Sequence, residues 1–124
     1  MVSVYKTLVL GASPKPERYA YQAVALLEKN QIEVVAMGVR PGKIGSISLV
    51  EPFKKIKAIH TVSLYLSPQH QSEYYDYILK LRPQRVLFNP GTENPEFAAR
   101  LDQAGILWEN SCTLVLLSTN QYQT

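Results

Sequence analysis

Two periodicities alternate along this chain, and that alternation constrains the fold more than any other feature. Short, nearly uninterrupted apolar runs occur at 7–11 (TLVLG), 33–39 (EVVAMGV), 61–66 (TVSLYL), 85–89 (RVLFN) and 106–109 (ILWE). Between them lie stretches of helical period. Ala20, Ala23, Val24 and Leu27 fall on one helix face that ends near Asn30. Ser67 and Pro68 form an N-cap and first-turn pair leading to Tyr74, Tyr77, Ile78 and Leu81. Asn94 and Pro95 repeat the device before Phe97, Ala98, Leu101 and Ala104, and Gly105 offers a left-handed stop. Only a short helix, near Pro52 to Ile56, fits between the second and third strands. Apolar strands alternating with helices imply a parallel sheet covered on both sides, joined by right-handed crossovers. The expected fold class is therefore α/β: a Rossmann-like three-layer sandwich with a five-stranded parallel sheet in the order 3-2-1-4-5. The switch point is expected between strands one and four, with ligands outside the carboxyl ends of the strands.

Composition narrows the function classes. At 124 residues, with 46% hydrophobic and 19% charged residues, the chain suits one globular domain over residues 1–124 with no disulfide or metal staple. No apolar run approaches a membrane span, and the opening MVSVYKTLVLG has no basic leader or small-residue cleavage site, so a cytoplasmic protein without membrane contact is expected. Cys112 has no internal disulfide partner, and with His60 and His70 it makes no metal-ligand spacing. Charge is uneven. Residues 1–57 hold nine Lys and Arg against four Glu, a balance of +5, and the remainder four against six acidic residues, a balance of −2. Nucleic acid is disfavoured as the partner, since the one basic run is KKIK at 54–57 and no nucleic-acid signature occurs. A small phosphorylated ligand fits better.

In the expected topology the loops at 11–18, 40–45, 67–68 and 89–94 crowd the carboxyl edge. Lys15, Arg18, Arg40 and Lys43 then converge on the first helix N-terminus, where free N–H groups and the helix dipole favour anions. A dinucleotide fingerprint G-x-G-x-x-G would need more glycines than GASPKP contains: Gly11 matches, but Ser13 occupies the second glycine position. Ser13 has two readings, as a hydrogen-bond donor to phosphate or as a cap for its own turn. The second strand ends in Val39 and Arg40 rather than a carboxylate, which disfavours NAD and suits a ribose carrying a phosphate, as in NADP or coenzyme A.

Over nearly its whole length the chain resembles the small CoA-binding-domain proteins, bacterial Rossmann-like proteins similar to the N-terminal domain of the succinyl-CoA synthetase alpha subunit. The resemblance rests on G-A-S-x-K-P-x-R at Gly11, Ala12, Ser13, Lys15, Pro16 and Arg18, and on GVRPGKIG at 38–45, which is similar to the synthetase's G-V-x-P-G-K-G-G. It implies that Lys43 faces the nucleotide part of coenzyme A. YLSP stands where the synthetase has its loop after strand three, which makes Tyr65, Ser67 and Pro68 candidate ligand walls. ENSC at 109–112 resembles the family's D-R-C or P-N-C element. After strand four the small relatives carry W-x-Q-x-G-V-x-N; here LFNPGTEN keeps Gly91 and Asn94 without the tryptophan and glutamine, leaving Asn89 and Gly91 as the candidates of that loop. The synthetase's phosphorylated histidine belongs to a second domain expected to be absent here, so ligase chemistry does not carry over.

No histidine is placed by motif beside Ser13 or Cys112, so a nucleophile and its base are not legible. Asp76 and Asp102 lie on polar helix faces, and the tyrosines at 74–77 suit helix packing. The sequence therefore points to a module that binds coenzyme A or an acyl-CoA without catalysis of its own, acting with a protein partner or as a homo-oligomer. Two alternatives remain at this stage: a small NADP-binding oxidoreductase, for which the chain is expected to lack the nicotinamide half-site, and a protein-interaction domain with a vestigial nucleotide pocket.

Overall fold

A computed structural model describes residues 4–123; the reading of the opening segment as free of a leader therefore falls partly outside the described residues. The chain runs β1 (Thr7–Leu10), α1 (Tyr19–Lys29), β2 (Val34–Met37), a hairpin of β3 (Lys43–Ile44) and β4 (Ile47–Ser48), then β5 (Thr61–Leu64), α2 (Pro68–Gln71), a 3₁₀ turn (Ser72–Tyr74), α3 (Tyr75–Leu81), β6 (Arg85–Phe88), α4 (Pro95–Gln103), β7 (Leu107–Asn110) and α5 (Thr113–Ser118). The main sheet is five-stranded and parallel throughout, with Thr7 opposite Val34 on one side and Thr61 on the other. Helices cover both of its faces, as the Rossmann-like reading requires. Leu8, Leu10, Val62, Val86 and Phe88 pack beneath α3 and α4, and Val9 and Leu87 face α1 and α5. Among the described residues no helix is long and apolar enough to cross a membrane.

The strand order differs from the expected one. Spatially the sheet reads β2-β1-β5-β6-β7, so in terms of the five apolar runs the order is 2-1-3-4-5 rather than 3-2-1-4-5, and the switch point lies between strands one and three. The cause is the connection after β2. A parallel crossover is right-handed, so a chain leaving β2 to return past β1 must use the face opposite α1. Val50, Ile56 and Ile59 pack into the core on that opposite face. Alternation alone reads the same for both orders.

Three local expectations also change. No helix forms near Pro52 to Ile56; those residues make a turn followed by irregular chain, with left-handed φ values of 64° at Phe53 and 60° at Ala58. Instead of a plain loop, residues 43–48 form the hairpin, which buries Ile44 against α1 and joins Ser46 Oγ to the Glu28 carboxylate. The fifth strand is followed by α5, whose Leu117 joins Tyr122 beneath α1. Gly105 ends α4 with φ 74°, as its position predicts.

The two ends of the described chain meet at the amino edge of the sheet. Tyr122 Oη lies 2.5 Å from Thr7 Oγ1, and the Arg85 guanidinium donates to Tyr122 O at 2.8 Å while stacking over the same residue's ring at 4.4 Å. His60 sits at this edge too, 2.7 Å from Thr61 Oγ1 and beside the Tyr5 ring. Its pKa is lowered, first by burial and then by the nearby Arg85 charge.

Candidate functional site

At the carboxyl edge β1 ends at Leu10, and the chain turns through Gly11 at φ 94°, a value L side chains rarely adopt. The N–H groups of Gly11 and Ala12 both donate to Met37 O, at 3.0 and 2.9 Å, so the turn stays tied to the end of β2. Directly beneath it lies Gly38. A Cβ built there would stand 2.1 Å from Ala12 O. Gly38, just past the end of β2, thus lets the turn after β1 lie against the neighbouring backbone. Ser13 Oγ accepts from Lys15 N at 3.2 Å, which is the turn-capping reading of that residue.

Helix α1 then starts without a cap. Arg18 occupies the N-cap in an extended conformation with no side-chain cap bond, and the first turn holds no acidic residue. The amides that lead an 11-residue helix are left for an external acceptor, at the positive end of its dipole. A cavity of about 390 Å³ opens at this point, within the usual range for ligand sites. Lys15, Arg18 and Arg40 line it, and no carboxylate or histidine does. Its remaining walls are Tyr19 and Ala20 of α1, Met37 to Val39, and Tyr65 and Leu66 after β5, with Tyr74 contributed from the far helical layer. A second cavity of about 380 Å³ shares Gly38, Val39 and Arg40 as its near wall.

Of the residues singled out by sequence, Gly11, Ala12, Ser13, Lys15, Arg18, Arg40 and Tyr65 come together around the first cavity. The others lie elsewhere. Lys43 is exposed on the hairpin, opposite Ser48. Ser67 stands at the N-cap position of α2 without a side-chain cap bond, its Oγ 2.9 Å from His70 Nδ1, with Pro68 in the first turn. Asn89 is buried with its amide occupied: Nδ2 donates to Ser63 Oγ at 2.9 Å and Leu64 O at 2.8 Å, while Oδ1 accepts from Thr113 N at 2.8 Å. Gly91 N donates to Glu93 Oε1 at 2.9 Å. For Asn89 and Gly91 the observed strand order gives the reason, since it puts the loop after β5 beside β1 and moves the loop after β6 one strand spacing, about 4.8 Å, farther away.

Sequence reasoning missed Tyr19, Ala20, Met37, Gly38, Val39, Leu66 and Tyr74 as cavity walls. Gly38 stood in a quoted motif, but its contact with Ala12 is not readable from spacing. Tyr19 and Val39 carry a signal only in the structure, where they remain 70% and 81% exposed at the cavity rim.

Tyr65 is the one strongly perturbed group in the lining. Burial, then the neighbouring Cys112, push its phenol well above the usual tyrosine range, so it stays protonated and acts as a neutral hydrogen-bonding wall. Among the described residues no group of three or more His, Cys, Asp and Glu is arranged to hold a metal. The arrangement suits the binding of a multiply charged anion.

Solved structures share this architecture. One, described as an uncharacterized protein, is 42% identical, covers 94% of this chain and 97% of its own, and superposes with a TM-score of 0.91. A hypothetical protein from Pyrococcus horikoshii OT3 is 25% identical, with 93% and 82% coverage and a TM-score of 0.83. A Thermus thermophilus structure, cell-free ID.343, shares the fold at 20% identity, with 94% and 89% coverage and a TM-score of 0.82. No curated protein matches. Residues 5–118 match the family model described as a CoA binding domain.

Proposed function

Because the chain belongs to the CoA binding domain family, we propose that it binds coenzyme A or an acyl-CoA at the carboxyl edge of its sheet, as a binding or regulatory module without chemistry of its own. One observation carries the reading: an uncapped helix N-terminus, with no acid in its first turn, opens into a cavity lined by Lys15, Arg18 and Arg40. The ligand's pyrophosphate belongs against the first-turn amides, Lys15 and Arg18. Its isolated ribose phosphate belongs to Arg40, which lines both cavities.

Calorimetry with coenzyme A, dephospho-CoA and NADP tests this directly. A charge-assisted phosphate contact is worth roughly ten- to a hundredfold in affinity, so Arg40→Ala should weaken coenzyme A by that factor and change dephospho-CoA little. Equal losses for both ligands would remove Arg40 from the ribose phosphate. Tighter binding of NADP than of coenzyme A would overturn the coenzyme assignment.

A further inference from the structure

The second cavity contains a charge of the wrong sign for a pure phosphate site. Beyond Arg40 its lining includes Lys54 and the apolar walls Pro41, Leu49 and Pro52, but also Glu51. Glu51 makes no ion pair or side-chain hydrogen bond among the described residues, although cations line the same groove. Glu51 is exposed at the groove wall, where its carboxylate repels phosphate and favours a ligand group that donates hydrogen bonds.

Its position is well fixed. The preceding residue, Val50, is tied to β2 from both sides: Val50 N donates to Ala36 O at 2.8 Å, and Gly38 N donates to Val50 O at 3.1 Å. Lys54 N closes the following turn onto Glu51 O at 3.3 Å. Phe53 stacks on Tyr74 with ring centroids 4.5 Å apart, and Tyr77 Oη donates to Lys54 O, which anchors the segment to the helical layer.

The geometry points to Glu51 as the residue that reads the base: its carboxylate accepts a hydrogen bond from the exocyclic amino group of an adenine lying between the apolar walls of the second cavity. This rests on the coenzyme reading above. With the pyrophosphate at α1 and the ribose phosphate at Arg40, the nucleoside end falls in the groove beyond Arg40. Adenine presents an amino donor at the position where hypoxanthine presents a carbonyl oxygen, and a carboxylate attracts the first and repels the second.

The test is calorimetry with adenosine 3′,5′-bisphosphate, which is the nucleotide end of coenzyme A, and with inosine 3′,5′-bisphosphate. Wild type should prefer the adenosine form by roughly tenfold or more. Glu51→Ala should bring the two within about twofold of each other by lowering affinity for the adenosine form relative to the inosine form, whereas Lys54→Ala should weaken both and keep the preference. Circular dichroism confirms that the exposed substitutions leave the fold intact. Equal affinity of wild type for the two bisphosphates, or a preference that survives Glu51→Ala, would overturn the role of Glu51 while leaving coenzyme binding in place. Failure of wild type to bind either bisphosphate or coenzyme A would remove the coenzyme reading itself.

Discussion

Gly38 illustrates how one missing side chain shapes the site. Its constraint is steric: a methyl group added at this position would stand 2.1 Å from Ala12 O, which leaves the backbone no alternative but to move. Gly38→Ala should cost about 2 kcal/mol in denaturant unfolding, in the range of overpacking substitutions, and should weaken coenzyme binding because the displaced turn carries Ser13 toward α1. Unchanged stability and affinity would show that the turn yields freely. Lys15, Arg18 and Arg40 were legible in the sequence because loops that follow parallel strands gather at one edge, whereas Lys43, read on the same ground, stands outside the cavity. The walls were not, because Met37 and Val39 look like any strand residues until the strand end is seen.

Among the elements, the clearest junction is the one that Asn89 makes at the end of β6. Its amide ties β5 through Ser63 and Leu64 to the start of α5 through Thr113, and Ser63 Oγ lies 2.8 Å from Thr113 Oγ1 in the same buried group. Asn89→Ala strands the Thr113 N–H and empties three bonds, so stability should fall by about 2 to 3 kcal/mol, with α5 amides exchanging faster by hydrogen-exchange measurements. Coenzyme affinity of the folded variant should change less than threefold. A large affinity loss without a stability loss would return Asn89 to the ligand. In the sequence this residue reads as a loop candidate because an asparagine after a strand carries both meanings, and only the number of its occupied bonds separates them. The hairpin at 43–48 was hidden for a related reason: two-residue strands fall below the length at which any period can be detected.

Across the whole molecule, the layers were readable and the strand order was not. Uninterrupted apolar strands require cover on both faces whatever their sequence in space, whereas the choice between two orders depends on which face Val50 and Ile56 enter. The amino edge adds a pH dependence that belongs to the whole fold. His60 has a folded pKa below its ordinary value near 6.5, so the folded state favours the neutral ring. Its contribution to stability is present above that ordinary value and is lost as pH falls through it toward the folded pKa, because the unfolded chain takes up the proton first. Melting temperature should therefore drop on acidification below about pH 6.5, and His60→Gln should flatten that part of the curve. An unaltered slope in the variant would assign the loss to other groups. The contact between Thr7 and Tyr122 has a practical corollary. Because Thr7 and Tyr122 both lie at the sheet edge opposite the first cavity, chain that leads into the one or away from the other is joined on the side away from the cavity mouth. A short peptide joining the two termini, with new ends cut elsewhere, would give a circular permutant that keeps both cavities.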